Sequence, residues 1–118
     1  MFEVEEIVII NRDPSEVFDV AADPERQLEW DAGNLKDVEK LTAEPLGAGA
    51  RYRGTFKGFG TVEYEYDIFE PPRRFSHTAE LPIGGVHHVF ELEPAQSGTR
   101  LTQKIVATPK VWASSSRP

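Results

Sequence analysis

The sequence contains no cysteine, and this absence excludes disulfide bonds, thiol catalysis and thiolate metal sites together. It also lacks any apolar run near the roughly 20 residues that a membrane-spanning helix requires. The first residues, Met1 to Glu6, are acidic where a secretory signal would be basic. We therefore expect a cytoplasmic protein with no membrane insertion.

Positive charge is also scarce, since 13 Lys and Arg residues stand against 20 Asp and Glu residues, for a net charge of −7. Nucleic-acid binding depends on cationic side chains, and the longest basic run is Arg73-Arg74. We therefore expect no nucleic-acid partner. A chain of 118 residues is long enough for one domain with a real core and too short for two.

The stretch from Gly60 to Pro72 predicts the strand around which the rest of the chain is organised. Its apolar and aromatic residues, Val62, Tyr64, Tyr66 and Ile68, alternate with Thr61, Glu63, Glu65 and Asp67. A period of two indicates one dry face and one solvated acidic face. Pro71-Pro72 ends the strand because neither residue can donate a hydrogen bond to a neighbouring strand.

The flanking segments predict an α+β fold. Phe2 to Ile10 is a first strand, with Ile7 to Ile10 expected to be buried on both faces. Asp13-Pro14 and Asp23-Pro24 each supply a helix start, so two short helices should follow. From Leu35 onward, alternating segments separated by turns predict about six more strands. Helices inserted after the first strand of such a meander predict a curved antiparallel sheet.

Five segments carry a family resemblance by their order and spacing: Asp13-Pro14-Ser15-Glu16-Val17-Phe18, Trp30, Leu46-Gly47-Ala48-Gly49, Phe90-Glu91-Leu92-Glu93-Pro94 and Gly98-Thr99-Arg100-Leu101-Thr102. They resemble the polyketide cyclase/dehydrase and lipid-transport family, the START-like (SRPBCC) or helix-grip proteins that include the major birch-pollen allergen. The resemblance implies a sheet wrapped round a long C-terminal helix. It also implies a hydrophobic cavity for lipids, sterols, polyketides or similar molecules.

The sequence departs from that pattern at its C-terminal end. The last helix of the family should begin near Lys110, but only nine residues, 110–118, remain from that point. We therefore predict a START-like domain over residues 1–109 and a truncated C-terminal segment or tail over residues 110–118. A second subunit is the alternative cover for the concave face of the sheet, so a homodimer is a further expectation.

His77 and His88 are the first candidate site residues. The loop between Glu80 and Gly85 would place them opposite each other on adjacent strands, about 5 Å apart. They could share protons, contact a ligand, or simply form hydrogen bonds to neighbouring cavity residues. A metal needs a third ligand, which these strands do not offer on that face, so we expect no metal and no cofactor.

The predicted ligand-binding set consists of the residues expected to line the concave face: Trp30, Tyr52, Phe56, Tyr64, Tyr66, His77, His88, Phe90 and Gln103. The alternative for Trp30 is core packing, and the tyrosines can equally anchor to backbone groups. Gln103 is a lone polar residue on an apolar strand face that could orient a ligand. The glycines around Ala48 do not form a phosphate loop, because Tyr52 replaces the required glycine and no helix follows.

Three functions are compatible with this set. The first is binding or transport of a small hydrophobic ligand such as a lipid, a polyketide or an aromatic molecule. The second is a polyketide cyclase, aromatase or dehydratase that uses His77, His88 and Tyr66 for proton transfer, since shape and a proton relay suffice for that chemistry. The third is a protein-interaction domain with an open concave face. We favour the first, because the lining offers no obvious nucleophile.

Overall fold

Seven segments of alternating apolar and polar residues form one antiparallel sheet in the computed structural model, which describes residues 2–58, 60–82 and 84–109. The strands are β1 (Phe2–Ile10), β2 (Leu35–Lys40), β3 (Arg51–Phe56), β4 (Gly60–Glu70), β5 (Arg74–Leu81), β6 (Gly84–Ala95) and β7 (Gly98–Pro109). Their order across the sheet is β1-β7-β6-β5-β4-β3-β2, which leaves β1 and β2 at the edges. The predicted α+β meander is confirmed.

Two short helices, α1 (Pro14–Ala21) and α2 (Pro24–Trp30), connect β1 to β2. Each begins with an aspartate cap followed by proline, as the sequence predicts. The Asp13 carboxylate accepts from the Ser15 backbone N–H at 3.2 Å, and the Asp23 carboxylate accepts from the Glu25 N–H at 3.0 Å. The caps satisfy N–H groups that have no partner inside a helix.

Helix α1 packs over one end of the sheet and forms the core there. The Phe18 ring lies edge-on to Phe69 and Phe75, with centroids 5.3 and 5.4 Å apart. Phe75 in turn stacks on Phe90 at 4.4 Å. We call the sheet face under the helices the concave face. Because α1 and α2 are short, they cover only part of it.

The predicted alternation of β4 holds from Val62 to Tyr66 and then breaks. A β-bulge lies between Tyr66 and Ile68, so Ile68 pairs with Ser76 while Phe69 pairs with Phe75. The extra residue moves every later side chain to the opposite face. The prediction that Ile68 continues the dry face is therefore wrong, and Phe69 packs against the core instead.

The prediction that Ile7 to Ile10 are buried on both faces is also wrong. Ile7, Val8 and Ile9 are 54%, 41% and 52% exposed, and only Ile10 reaches the core. The reason is that β1 is an edge strand paired with β7 alone. A run of β-branched residues therefore does not predict burial when its strand lies at the edge of the sheet.

No long helix follows β7 within the described part of the chain, which ends at residue 109. The predicted tail over residues 110–118 lies outside the described residues, so the proposed domain boundary stays a prediction. Phe59 and Ile83, in two of the predicted turns, also lie outside them. None of the helices in the described ranges combines the length and apolar character needed to cross a membrane.

Candidate ligand-binding site on the concave face

A slanted row of polar side chains crosses the concave face over five strands. We call it the polar row; it consists of Glu6, Gln103, His88, His77 and Tyr64. The register places these residues on one face. Glu6 pairs with Gln103, and Gln103 pairs with Phe90, two residues from His88. His88 pairs with His77, and His77 pairs with Tyr66, two residues from Tyr64. Directly paired residues of an antiparallel sheet project to the same side.

Hydrogen bonds join three members of the polar row. The Gln103 Nε2 donates to Glu6 Oε1 at 2.7 Å, and Gln103 Oε1 lies 2.9 Å from His88 Nε2. A carboxylate only accepts hydrogen bonds, so the amide must turn its NH₂ to Glu6 and its oxygen to His88. His88 therefore donates from Nε2, which leaves Nδ1 as an acceptor.

The two histidines face each other as the sequence predicts, with ring centroids 5.2 Å apart. Burial, reinforced by His88 and His87, lowers the pKa of His77 to about 3. Burial also lowers the pKa of His88, against the opposing effect of its hydrogen bond to Gln103. Both rings are therefore uncharged at neutral pH. The site offers neutral donors and acceptors rather than a cation.

Tyr64 carries the one buried side-chain polar atom that lacks a hydrogen-bond partner among the described residues. The residue is 6% exposed, and its ring centroid lies 5.1 Å from that of His77. Burial raises the pKa of the Tyr64 hydroxyl, so the group stays protonated and keeps an unused O–H. Such a group is unusual in a native protein and calls for a physical reason.

The neighbouring tyrosines are engaged differently. The Tyr66 hydroxyl donates to the Ala22 carbonyl at 2.7 Å, where Ala22 caps the end of α1. Tyr66 thus anchors a helix end to the sheet, and burial raises its pKa as well. Tyr52 is buried and stacks on Tyr64 at 6.0 Å, and its burial, with nearby Asp23, raises its pKa to about 12.

The structure brings together all of the predicted ligand-binding residues except Trp30. Phe90 stacks on His88 at 4.2 Å, and the Phe56 ring lies 6.3 Å from that of Tyr64. Trp30 is 52% exposed, and its Nε1 donates to the Val20 carbonyl of α1 at 3.4 Å. Trp30, the last residue of α2, therefore lies against α1 rather than in the polar row.

Glu6 is the member of the polar row that sequence reasoning missed. The signal is present in β1, where a glutamate interrupts the alternate positions Val4 and Val8. Its meaning depends on the pairing of β1 with β7, which lie at opposite ends of the described chain. No local pattern predicts that pairing.

Apolar side chains surround the polar row where the helices do not reach. Those that are half-buried on the concave face are Val62, Ala79, Leu81, Val86, Leu101, Ile105 and Ala107. Val4 and Val8 on β1 extend this surface and are 44% and 41% exposed. The arrangement combines a broad apolar surface with a few convergent polar groups, which is the usual composition of a small-molecule site.

Two surface depressions adjoin this region, and the larger one shares Val62, Tyr64 and Leu81 with the concave face. One of about 330 Å³ lies between the helices and Phe69. The other, of about 580 Å³, lies mainly over the opposite, convex face, among charged residues that include Arg51, Glu63 and Glu80. The acidic residues of β4 are solvated there as predicted, and Glu63 forms ion pairs with Arg51 and Arg53 at 3.4 and 3.3 Å. Neither depression is lined by a histidine.

The described residues hold no group of three or more histidine, aspartate or glutamate side chains arranged to bind a metal ion. His87 and Asp67 form a pair on the convex face, with His87 Nε2 and the carboxylate 3.4 Å apart. The Thr78 hydroxyl donates a hydrogen bond to the same carboxylate oxygen at 2.6 Å. The side chains described on the concave face can form hydrogen bonds, transfer protons and make apolar contacts.

Comparison with known proteins assigns the family. Residues 1–116 match the family described as polyketide cyclase / dehydrase and lipid transport. The chain belongs to this family, as the resemblance of its motifs implies. Comparison with curated proteins gave no match.

Solved structures share the fold at low sequence identity. The crystal structure of Ara h 8.0201 superposes with a TM-score of 0.74 at 17% identity, covering 92% of this chain and 78% of that one. Protein MLL2253 from Mesorhizobium loti gives 0.74 at 20% identity, with 92% and 79% covered. The Aha1 dimer from Colwellia psychrerythraea gives 0.70 at 13% identity, with 98% and 85% covered. These likenesses, with the seven-stranded sheet and the two short helices after β1, establish a helix-grip-like fold.

Proposed function

We propose that the protein binds or carries a small hydrophobic molecule on its concave face. The observation that carries this proposal is the half-buried apolar surface around the polar row, which α1 and α2 leave uncovered. Membership of a family described by polyketide chemistry and lipid transport supports the same class of ligand.

The experiment is a titration with the neutral fluorescent probe Nile red, whose emission rises when it enters an apolar site. Ile105→Glu places a charge on the concave face, where Ile105 pairs with His88. Val106→Glu is the matched control, because Val106 is equally half-buried but pairs with His87 on the convex face. We expect the first substitution to weaken probe binding at least tenfold and the second to leave it nearly unchanged. Equal effects of the two substitutions would reject the concave site.

Catalysis is the alternative, favoured by the fixed tautomer of His88. Its Nε2–H is committed to Gln103, so Nδ1 is available as a base, and His77 lies opposite. With Tyr66 these are the candidate residues for a polyketide cyclase or dehydratase. If the protein is such an enzyme, His88→Gln should reduce conversion of a linear poly-β-carbonyl compound by orders of magnitude while probe binding survives. Conversion at the rate of buffer alone, with the unmodified protein, would reject this alternative.

We also propose a homodimer formed through the free edge of β1. That edge presents Ile7 and Ile9 to solvent on one side and Val8 on the other. An exposed apolar edge strand is a template for pairing with another strand. The Aha1 structure that shares this fold is itself described as a dimer.

A further inference from the structure

We propose that the molecule bound on the concave face is uncharged and carries a carbonyl or hydroxyl oxygen that hydrogen-bonds to the Tyr64 hydroxyl. This inference rests on the proposed binding function and deepens it by naming the ligand class. It follows from two features of the site, namely an unused buried donor and the absence of an available cation on that face of the described sheet.

The unused donor is the Tyr64 O–H. Tyr64 is more than nine-tenths buried, and its hydroxyl has no partner among the described residues. Tyr66, the next residue on the same face of β4, has a hydrogen-bonded hydroxyl, which donates to the Ala22 carbonyl at 2.7 Å. Because protein atoms cover the Tyr64 oxygen in this structure, a ligand oxygen with a free lone pair would complete it in the same way once a neighbouring side chain moves aside.

His77 adds a second neutral group beside Tyr64, with ring centroids 5.1 Å apart. A neutral imidazole has one N–H donor and one nitrogen acceptor. It can therefore accept from a ligand hydroxyl or donate to a ligand carbonyl without carrying charge. Tyr64 and His77 can therefore both form hydrogen bonds to one uncharged oxygen of an otherwise apolar molecule.

The charges facing the concave site discriminate against an anion. Glu6 contributes a carboxylate at the β1 end of the polar row, and both histidines are uncharged. The register also turns Lys40 of β2 toward this face, but its ammonium donates to the Thr42 and Glu44 carbonyls at the far edge of the sheet. A carboxylate ligand would lose its hydration and gain no counter-charge.

The test compares three probes with the same ring skeleton by calorimetry at pH 7.5: naphthalene, 2-naphthol and 2-naphthoate. We expect 2-naphthol to bind about tenfold tighter than naphthalene, the ratio typical of one hydrogen bond to a buried donor. We expect 2-naphthoate to bind more weakly than 2-naphthol by at least the same factor. These comparisons use the unmodified protein and depend on no variant.

Tyr64→Phe then assigns the donor. It should remove the advantage of 2-naphthol over naphthalene, measured as the ratio of the two dissociation constants within the same variant. Tyr66→Phe should retain that advantage because the Tyr66 hydroxyl is already occupied. Binding of 2-naphthoate as tight as that of 2-naphthol, or a full advantage persisting in Tyr64→Phe, would overturn the inference while the binding function stands. If neither Nile red nor any of the three probes binds, the binding function itself fails.

Discussion

Removing the Tyr64 hydroxyl should stabilise the ligand-free protein, which is an unusual outcome for a substitution in a core. A buried hydroxyl with no partner costs about 1–3 kcal/mol of desolvation. Tyr64→Phe keeps the ring and its contacts with Tyr52 and His77 but removes that penalty. We expect the free energy of unfolding to rise by about 1–2 kcal/mol.

The matched control is Tyr66→Phe, which makes the same chemical change two residues away. The Tyr66 hydroxyl donates to the Ala22 carbonyl at 2.7 Å, so its removal loses a bond and leaves that carbonyl without this donor. We expect a loss of about 1–2 kcal/mol. The two variants should therefore move stability in opposite directions although both delete one oxygen.

The assay is thermal unfolding followed by circular dichroism, on protein shown by native mass spectrometry to carry no bound molecule. The unfolding entropy of a chain of 118 residues is about 0.25 kcal/mol per kelvin near the midpoint. Tyr64→Phe should raise Tm by about 4–8 °C, and Tyr66→Phe should lower it by a similar amount. A fall in Tm for Tyr64→Phe comparable to that of Tyr66→Phe would contradict this prediction, because it would mean that the Tyr64 hydroxyl has a hydrogen-bond partner in solution.

Three further predictions concern the turn after β6, the half-buried His77 and the edge strand β1. Gly98→Ala should lower the free energy of unfolding by more than about 3 kcal/mol in chemical denaturation, because the φ of Gly98 is +149° and a Cβ there would lie 2.2 Å from the Ile10 carbonyl oxygen. The control Gly33→Ala should be nearly neutral, since the space around Gly33 is open, and equal effects of the two substitutions would contradict this prediction. The pKa of His77 is about 3 in the folded state and about 6.5 in the unfolded state, so the unfolded state binds more protons between these pH values. The free energy of unfolding should therefore decrease as the pH is lowered below 6.5, by about 2 kcal/mol at pH 5. His77→Gln should flatten this part of the stability profile, and an unchanged profile would contradict the prediction. Ile9→Lys should convert a dimer to a monomer in light scattering, and a dimer that survives would exclude the β1 edge as the interface.

Much of the fold follows from local patterns. Period-two alternation and turn residues place all seven strands, and the Asp-Pro starts at Asp13 and Asp23 place both helices. The His77–His88 juxtaposition also follows, because a hairpin loop of known length fixes the register. These features depend on residues close together in the chain.

The remaining features depend on tertiary context. The bulge at Asp67 places Phe69 rather than Ile68 in the core. The alternation of residues in β4 gives no sign of this bulge. Glu6 enters the polar row only because β1 pairs with β7, and the same edge position exposes Ile7 and Ile9. The engagement of the Tyr66 hydroxyl and the free state of the Tyr64 hydroxyl depend on whether a helix end lies within reach, which no spacing in the sequence records.

An amide NMR titration of the unmodified protein with 2-naphthol tests directly whether the ligand binds on the concave face. We expect saturable shifts centred on Tyr64, His77 and His88, extending to Ile105 on the concave face. Arg53 and Glu63, which form an ion pair on the convex face, should stay unperturbed. Shifts centred on the convex residues, or none that saturate, would contradict the assignment of a ligand site to the concave face.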